Sequence, residues 1–236
     1  MNFYISVVVS ILVLQSGSWL HNNHIAVVSA AGSSSTGSMV DSATGISFPS
    51  QKNGLEIFGV GVRKKGPIKI YSVACYGNKT LKESLLSSIS RSKVNEKDAY
   101  TAFQNSIVQQ STGSTTSFVL QMAMKVGAAK MASAIADSVS PRHNQNGNPQ
   151  DVEQLKDLIF KGVTNNGDGS AAAATKGTTF QFDCHCHTGM DVMVNNQHIG
   201  TISSPTLSNA FCNVYCDNDC VSPALRKSCI EHCCSE

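Results

Sequence analysis

Two apolar, β-rich segments stand on either side of a short break, and that pair limits the fold more than any other feature. Leu55 to Val62 reads LEIFGVGV, and Ile68 to Tyr76 reads IKIYSVACY. Both are rich in β-branched residues, and the second alternates as a strand should. Lys64-Lys65-Gly66-Pro67 separates them with turn chemistry. Together they make a long hairpin, so the chain must contain an antiparallel sheet.

The later segments alternate between the two periods. Thr80 to Ser90 and Glu96 to Gln109 have helical stripes, carried by Leu81, Leu85 and Ile89, then by Ala99, Phe103 and Ile107. Ser117 to Val126 alternates as a strand, with Phe118, Leu120, Met122 and Met124 on one face. Ala128 to Val139 and Asp151 to Phe160 read as helices, and Lys161 to Thr175 as a polar loop. Thr178 to Cys186, Asp191 to Val194 and His198 to Ile202 form a meander of three strands. Ser204 to Cys216 and Pro223 to Cys234 are helices, the second with Pro at its start. The order predicts an α+β fold with a long antiparallel sheet and helices packed on one face.

The N-terminus reads as targeting sequence. Phe3 to Leu14 is a run of twelve uncharged residues, too short to span a bilayer. Small residues at Val28-Ser29-Ala30 place cleavage after Ala30, with Ser18 the rival site. Residues 1–30 are thus expected to be a signal, with a membrane anchor the alternative, residues 31–43 a flexible Ser/Gly/Ala-rich leader, and residues 44–236 one folded domain. The signal leads into the secretory route, to the ER lumen or outside the cell; a signal with such a leader also fits a two-step plastid route. No stable membrane insertion is expected after cleavage, and the mature chain is expected to be a monomer.

Composition narrows the partners. The 236 residues carry a net charge of +2, and no basic run exceeds Arg63-Lys64-Lys65. That is no nucleic-acid footprint. Aromatic residues are 6%, too few for base-stacking surfaces. No phosphate loop, nucleotide motif or Ser/His/Asp set appears, and no cofactor is expected.

Cysteine and histidine draw attention without fixing a site. Asp183-Cys184-His185-Cys186-His187 suggests a metal, but on a strand the cysteines face one side and the histidines the other. One face offers two ligands, so no metal site is expected. Six of the nine cysteines crowd the last 25 residues: Cys212, Cys216, Cys220, Cys229, Cys233 and Cys234. In an oxidising compartment Cys220–Cys229 or Cys216–Cys233 could bridge the last two helices. In a reducing one the thiols stay free. Asn78-Lys79-Thr80 is a lone glycosylation sequon.

From Thr44 to Cys233 the chain resembles the chalcone–flavanone isomerase family. The resemblance is carried by Thr44-Gly45-Ile46-Ser47-Phe48-Pro49, then Gly59-Val60-Gly61-Val62-Arg63 with Ile68 to Tyr76, then Gly200-Thr201-Ile202, the helix from Leu207 to Tyr215, and Val221-Ser222-Pro223. It implies an open-faced β-sandwich with a ligand cleft between sheet and helices. The family holds catalytic isomerases, which close chalcones to flavanones, and non-catalytic fatty-acid binders.

Individual positions favour the binding branch. Arg63 matches the family arginine used by both branches. Where isomerases carry a strand Thr, this chain has Tyr71, as the binders do. The isomerase Tyr and Asn of the middle helix fall on Met131 and Ser138. Their late-helix Thr/Ser and Met/Ile fall on Val214 and Tyr215, again as in the binders. No catalytic residue is therefore expected, although Arg63 would be the one if the chain were an isomerase. Ligand contact is expected from Arg63 and Tyr71. A guanidinium fork with a phenol beside it suits a carboxylate, and Met and Val suit an acyl chain. Arg63 and Tyr71 are eight residues apart. In a hairpin they share a face only if the loop holds an odd number of residues or a bulge intervenes.

Overall fold

The computed structural model describes residues 37–91, 96–109, 113–165 and 172–234. The expected signal lies outside these residues. Part of the expected leader does not: Ser38–Val40 is strand β1, paired antiparallel with β2 (Ser47–Pro49). Asp41, only 4% exposed, holds the link between them by accepting from the Ser72 and Thr44 hydroxyls at 2.6 and 2.7 Å. A buried carboxylate with hydroxyl donors anchors a segment whose Ser/Gly composition alone reads as loose.

Then follow β3 (Gln51–Lys52), β4 (Leu55–Lys65), β5 (Ile68–Gly77), α1 (Lys79–Arg91) and α2 (Glu96–Val108). Next come β6 (Thr116–Met122), β7 (Val126–Gly127), α3 (Ala128–His143) and α4 (Pro149–Asn165). The chain closes with β8 (Ala173–Ala174), β9 (Thr179–His185), β10 (Gly189–Val194), β11 (Gln197–Ile202), α5 (Pro205–Cys216) and α6 (Pro223–Cys234). Seven strands form one antiparallel sheet in the order β11-β10-β9-β6-β5-β4-β3. The helices cover one face around Phe118, Phe182, Phe211 and Tyr215. The other face carries a small cluster of Phe48, Ile57, Val60, Ala74, Tyr76 and Val119, roofed by Met39 and Ile46. This is the α+β architecture that the order of elements predicts.

Several expectations shift at their edges, among them the helix expected to end at Val139, which runs on to His143. The strand expected through Val126 ends at Met122, because β7 turns away to pair with β8. The loop expected from Lys161 begins later: α4 runs on to Asn165, since Val152, Leu155, Ile159 and Val163 form one buried stripe. Asn78, the sequon residue, is a helix cap. Its Oδ1 accepts from the Leu81 amide at 3.1 Å, and its Nδ2 donates to Gly113 O.

Cys75, Cys184, Cys212, Cys216 and Cys220 are free thiols buried in the core, so neither Cys220–Cys229 nor Cys216–Cys233 is bridged.

Candidate functional site

The GVGVR segment places the arginine. In the middle of β4, alternate residues face the helices: Gly59, Gly61 and Arg63 are paired across to Cys75, Val73 and Tyr71. The two glycines let α6 lie directly on the strand. A Cβ at Gly61 would stand 2.2 Å from the Leu225 amide nitrogen, and one at Gly59 2.5 Å from that of Cys229. The helix also serves the strand's outer edge. Ser228 Oγ accepts from Val60 N–H at 3.1 Å, and Ser222 Oγ donates to Val62 O at 3.0 Å while capping Leu225 N–H. Arg63 is the first side chain on this face past the end of the helix. Its Nη1 donates to Val221 O at 3.1 Å, which ties the guanidinium to the turn before α6.

Tyr71 is brought opposite by a bulge. Lys65 pairs with Ile68 and Lys64 with Lys69, but Arg63 pairs with Tyr71, leaving Ile70 as the extra residue on β5. Gly66, at φ 58°, supplies the left-handed corner of the tight turn. A second shift, at Phe58, restores the register on the far side. The condition that the sequence leaves open is met by the bulge, and both predicted ligand residues face the helices.

They line one cleft of about 620 Å³. Its walls are Ile68, Ile70, Met124, Val126, Met131, Ala134 and Ile135, largely from the start of α3 and the segment before it. Lys65, Lys125 and Lys130 stand at its rim, with Asp137 and Ser138 further along α3. The volume and apolar lining suit a small organic ligand. Met131 and Ser138 both face the cleft, whereas Val214 does not and is packed in the core. Of the β6 face, Phe118, Leu120 and Met122 belong to the core beneath; only Met124, past the end of the strand, reaches the cleft.

Tyr215, which the resemblance sets at a late-helix position of the family but not among the expected ligand contacts, stands directly behind Tyr71. It lies behind the cleft, 2% exposed, stacked on Phe118 at 4.7 Å, with its hydroxyl 3.2 Å from that of Tyr71. Burial pushes both phenols above the ordinary 10.0. For Tyr71 the hydrogen bond from Tyr215 and the Arg63 charge act the other way. Both hydroxyls therefore stay protonated. With Tyr215 donating to Tyr71, the Tyr71 proton is left to point at a ligand. Among the described residues no carboxylate neutralises Arg63. The site thus presents one guanidinium and one oriented phenol at the end of an apolar cleft. At that end it offers donors; the carboxylate among the described lining residues, Asp137, stands further along α3.

No family model matches the sequence, and no curated protein matches it. Among solved structures, the chain is similar to the crystal structure of the fatty-acid binding protein AtFAP1 of Arabidopsis thaliana. The TM-score is 0.64 at 18% identity, covering 84% of this chain and 98% of the other. The chain has that protein's fold, the sheet-and-helix arrangement that the sequence resemblance implies.

Proposed function

We propose that the chain is a non-catalytic binding protein that holds a fatty acid, or a similar apolar carboxylate, in the cleft between sheet and α3. One observation carries this reading: Arg63 and Tyr71 pair across β4 and β5 and both line an apolar cleft. The carboxylate takes the Arg63 fork and the Tyr71 hydroxyl, and the acyl chain lies along Ile70, Met131 and Ile135. The fold shared with a fatty-acid binding protein supports the same reading.

The alternative, closure of chalcones to flavanones, needs donors placed where charge develops on the ketone oxygen. Met131 stands where isomerases present a Tyr, and Val214 is buried away from the cleft. Arg63 could steady a phenolate, but the enone would lack its orienting groups.

Titration calorimetry with dodecanoic acid and dodecanol, on wild type and Arg63→Ala, tests the proposal. The acid should bind wild type well above the alcohol, and Arg63→Ala should lose about 2–5 kcal/mol toward the acid alone. Equal affinity in all four combinations would refute the clamp.

A further inference from the structure

The cleft opens beside the tip of the β4–β5 hairpin, and that rim combines exposed apolar side chains with several lysines. Six successive residues, Lys64 to Lys69, are exposed at the tip, three of them lysine. Among them Ile68 is 51% exposed. Beside it stand Met124, 36% exposed, and Lys125, with Lys130 one turn into α3. Of the four large hydrophobic side chains exposed among the described residues, two, Ile68 and Met124, line this one cleft. Lys64 and Lys69 pair on the outer face of the hairpin, while Lys65 and Ile68 pair on the cleft face. Lysines therefore ring both sides of the apolar tip. Among the described residues, Asp137 is the only acidic one lining the cleft.

We propose that this rim docks on an anionic lipid bilayer, with Ile68 and Met124 entering the headgroup boundary and the surrounding lysines lying among anionic headgroups. Charge complementarity argues for an anionic surface, since each lysine near such a membrane adds to its attraction. The shape argues for a bilayer over an acidic protein. The exposed apolar groups stand on a hairpin end and a loop, as insertion requires. The cleft opens at the same rim, so a docked chain would present its ligand site to the membrane. That last consequence rests on the fatty-acid reading above; the docking itself does not.

Vesicle flotation of the full chain tests it, with phosphatidylcholine alone against phosphatidylcholine containing roughly a quarter phosphatidylglycerol, at low and high salt. The expected result is binding that rises with anionic lipid, falls with salt, and drops roughly tenfold or more in Lys64→Glu/Lys69→Glu. Ile68→Glu/Met124→Glu should show a loss that persists at high salt. The outer-face pair Lys64 and Lys69 does not line the cleft, so its double variant should keep the wild-type affinity for dodecanoic acid in calorimetry. A failure of docking is thereby separated from a failure of the ligand site. Flotation indifferent to both double variants would overturn the proposal. So would loss of the lysines' contribution only on an immobilised acidic protein, which would assign the surface to a protein partner.

Discussion

The Tyr71 hydroxyl lies 3.2 Å from that of Tyr215, and only one of the two phenols reaches the cleft. Two neutral hydroxyls share one hydrogen bond and retain one spare proton. Tyr215 is enclosed by Phe118 and Phe211, so its own proton has Tyr71 as its partner. The spare proton is then on Tyr71, beside Arg63. Tyr215 acts through Tyr71 by fixing the direction of its O–H.

Tyr71→Phe should cost about 1.5–3 kcal/mol of carboxylate affinity, the worth of one hydrogen bond to a charged group. Tyr215→Phe should cost less, about 0.5–1.5 kcal/mol, because it removes only the orienting partner. In a Tyr71→Phe background the Tyr215→Phe change should have almost no further effect. A double-mutant cycle by calorimetry with dodecanoic acid measures this coupling. Additive losses would mean that Tyr215 contacts the ligand on its own.

Naringenin chalcone should not cyclise in the presence of the protein faster than it does in solution. The reason is the donor set at the Arg63 end of the cleft, one guanidinium and one phenol, with Met131 in the cleft and Val214 in the core. Circular dichroism of the product decides the matter. A stereoselective acceleration that disappears in Arg63→Ala would show that the site is catalytic.

Gly61→Ala should destabilise the fold and weaken the ligand site together. The new Cβ would meet the Leu225 backbone at 2.2 Å, and backbone cannot swing aside as a flexible side chain could. Overpacking of this kind costs about 1–3 kcal/mol, and here α6 must move as a whole. The turn before α6 carries Val221 O, the carbonyl that holds Arg63, so the guanidinium should shift with it. Urea melts and calorimetry on the same preparation check both effects. A stable variant with normal affinity would show that the helix is not held by this close approach.

Much of the fold can be read from the sequence because period and turn chemistry agree in the long elements. The hairpin, the meander and both late helices are of that kind. Residues 38–40 were not legible as a strand, since three residues show no period and their anchor, Asp41, is bound by side chains distant in sequence. The same holds at the site. Arg63 and Tyr71 are visible from motif resemblance, but the Ile70 bulge that aligns them depends on strand register, which spacing alone leaves open. Tyr215 gives no local signal of its role, because its partner is 144 positions away in sequence.

Stability should fall on the alkaline side in two stages. Hydrogen bonds with Cys184 and Cys186, then burial, push the Cys212 thiol well above its ordinary 9.0, and burial does the same to Cys216. Burial also raises Tyr71 and Tyr215 above 10.0. In each case the folded chain keeps a proton that the unfolded chain releases. The stabilising contribution is therefore complete below the unfolded value and is lost as pH rises through and beyond it. Each such proton changes the unfolding free energy by about 1.4 kcal/mol per pH unit. Urea melts under reducing conditions should accordingly show a decline beginning near pH 9, from the thiols, that steepens above about pH 10, from the phenols. The Tyr71→Phe/Tyr215→Phe variant should keep the first stage and lose part of the steepening, the remainder coming from Tyr76, whose phenol burial also raises. Native Cys212 and Cys216 should resist thiol reagents until the chain unfolds. Stability that is flat through this range, or rapid labelling of these two thiols in the native protein, would contradict the buried, protonated arrangement on which the Tyr71–Tyr215 pair also depends.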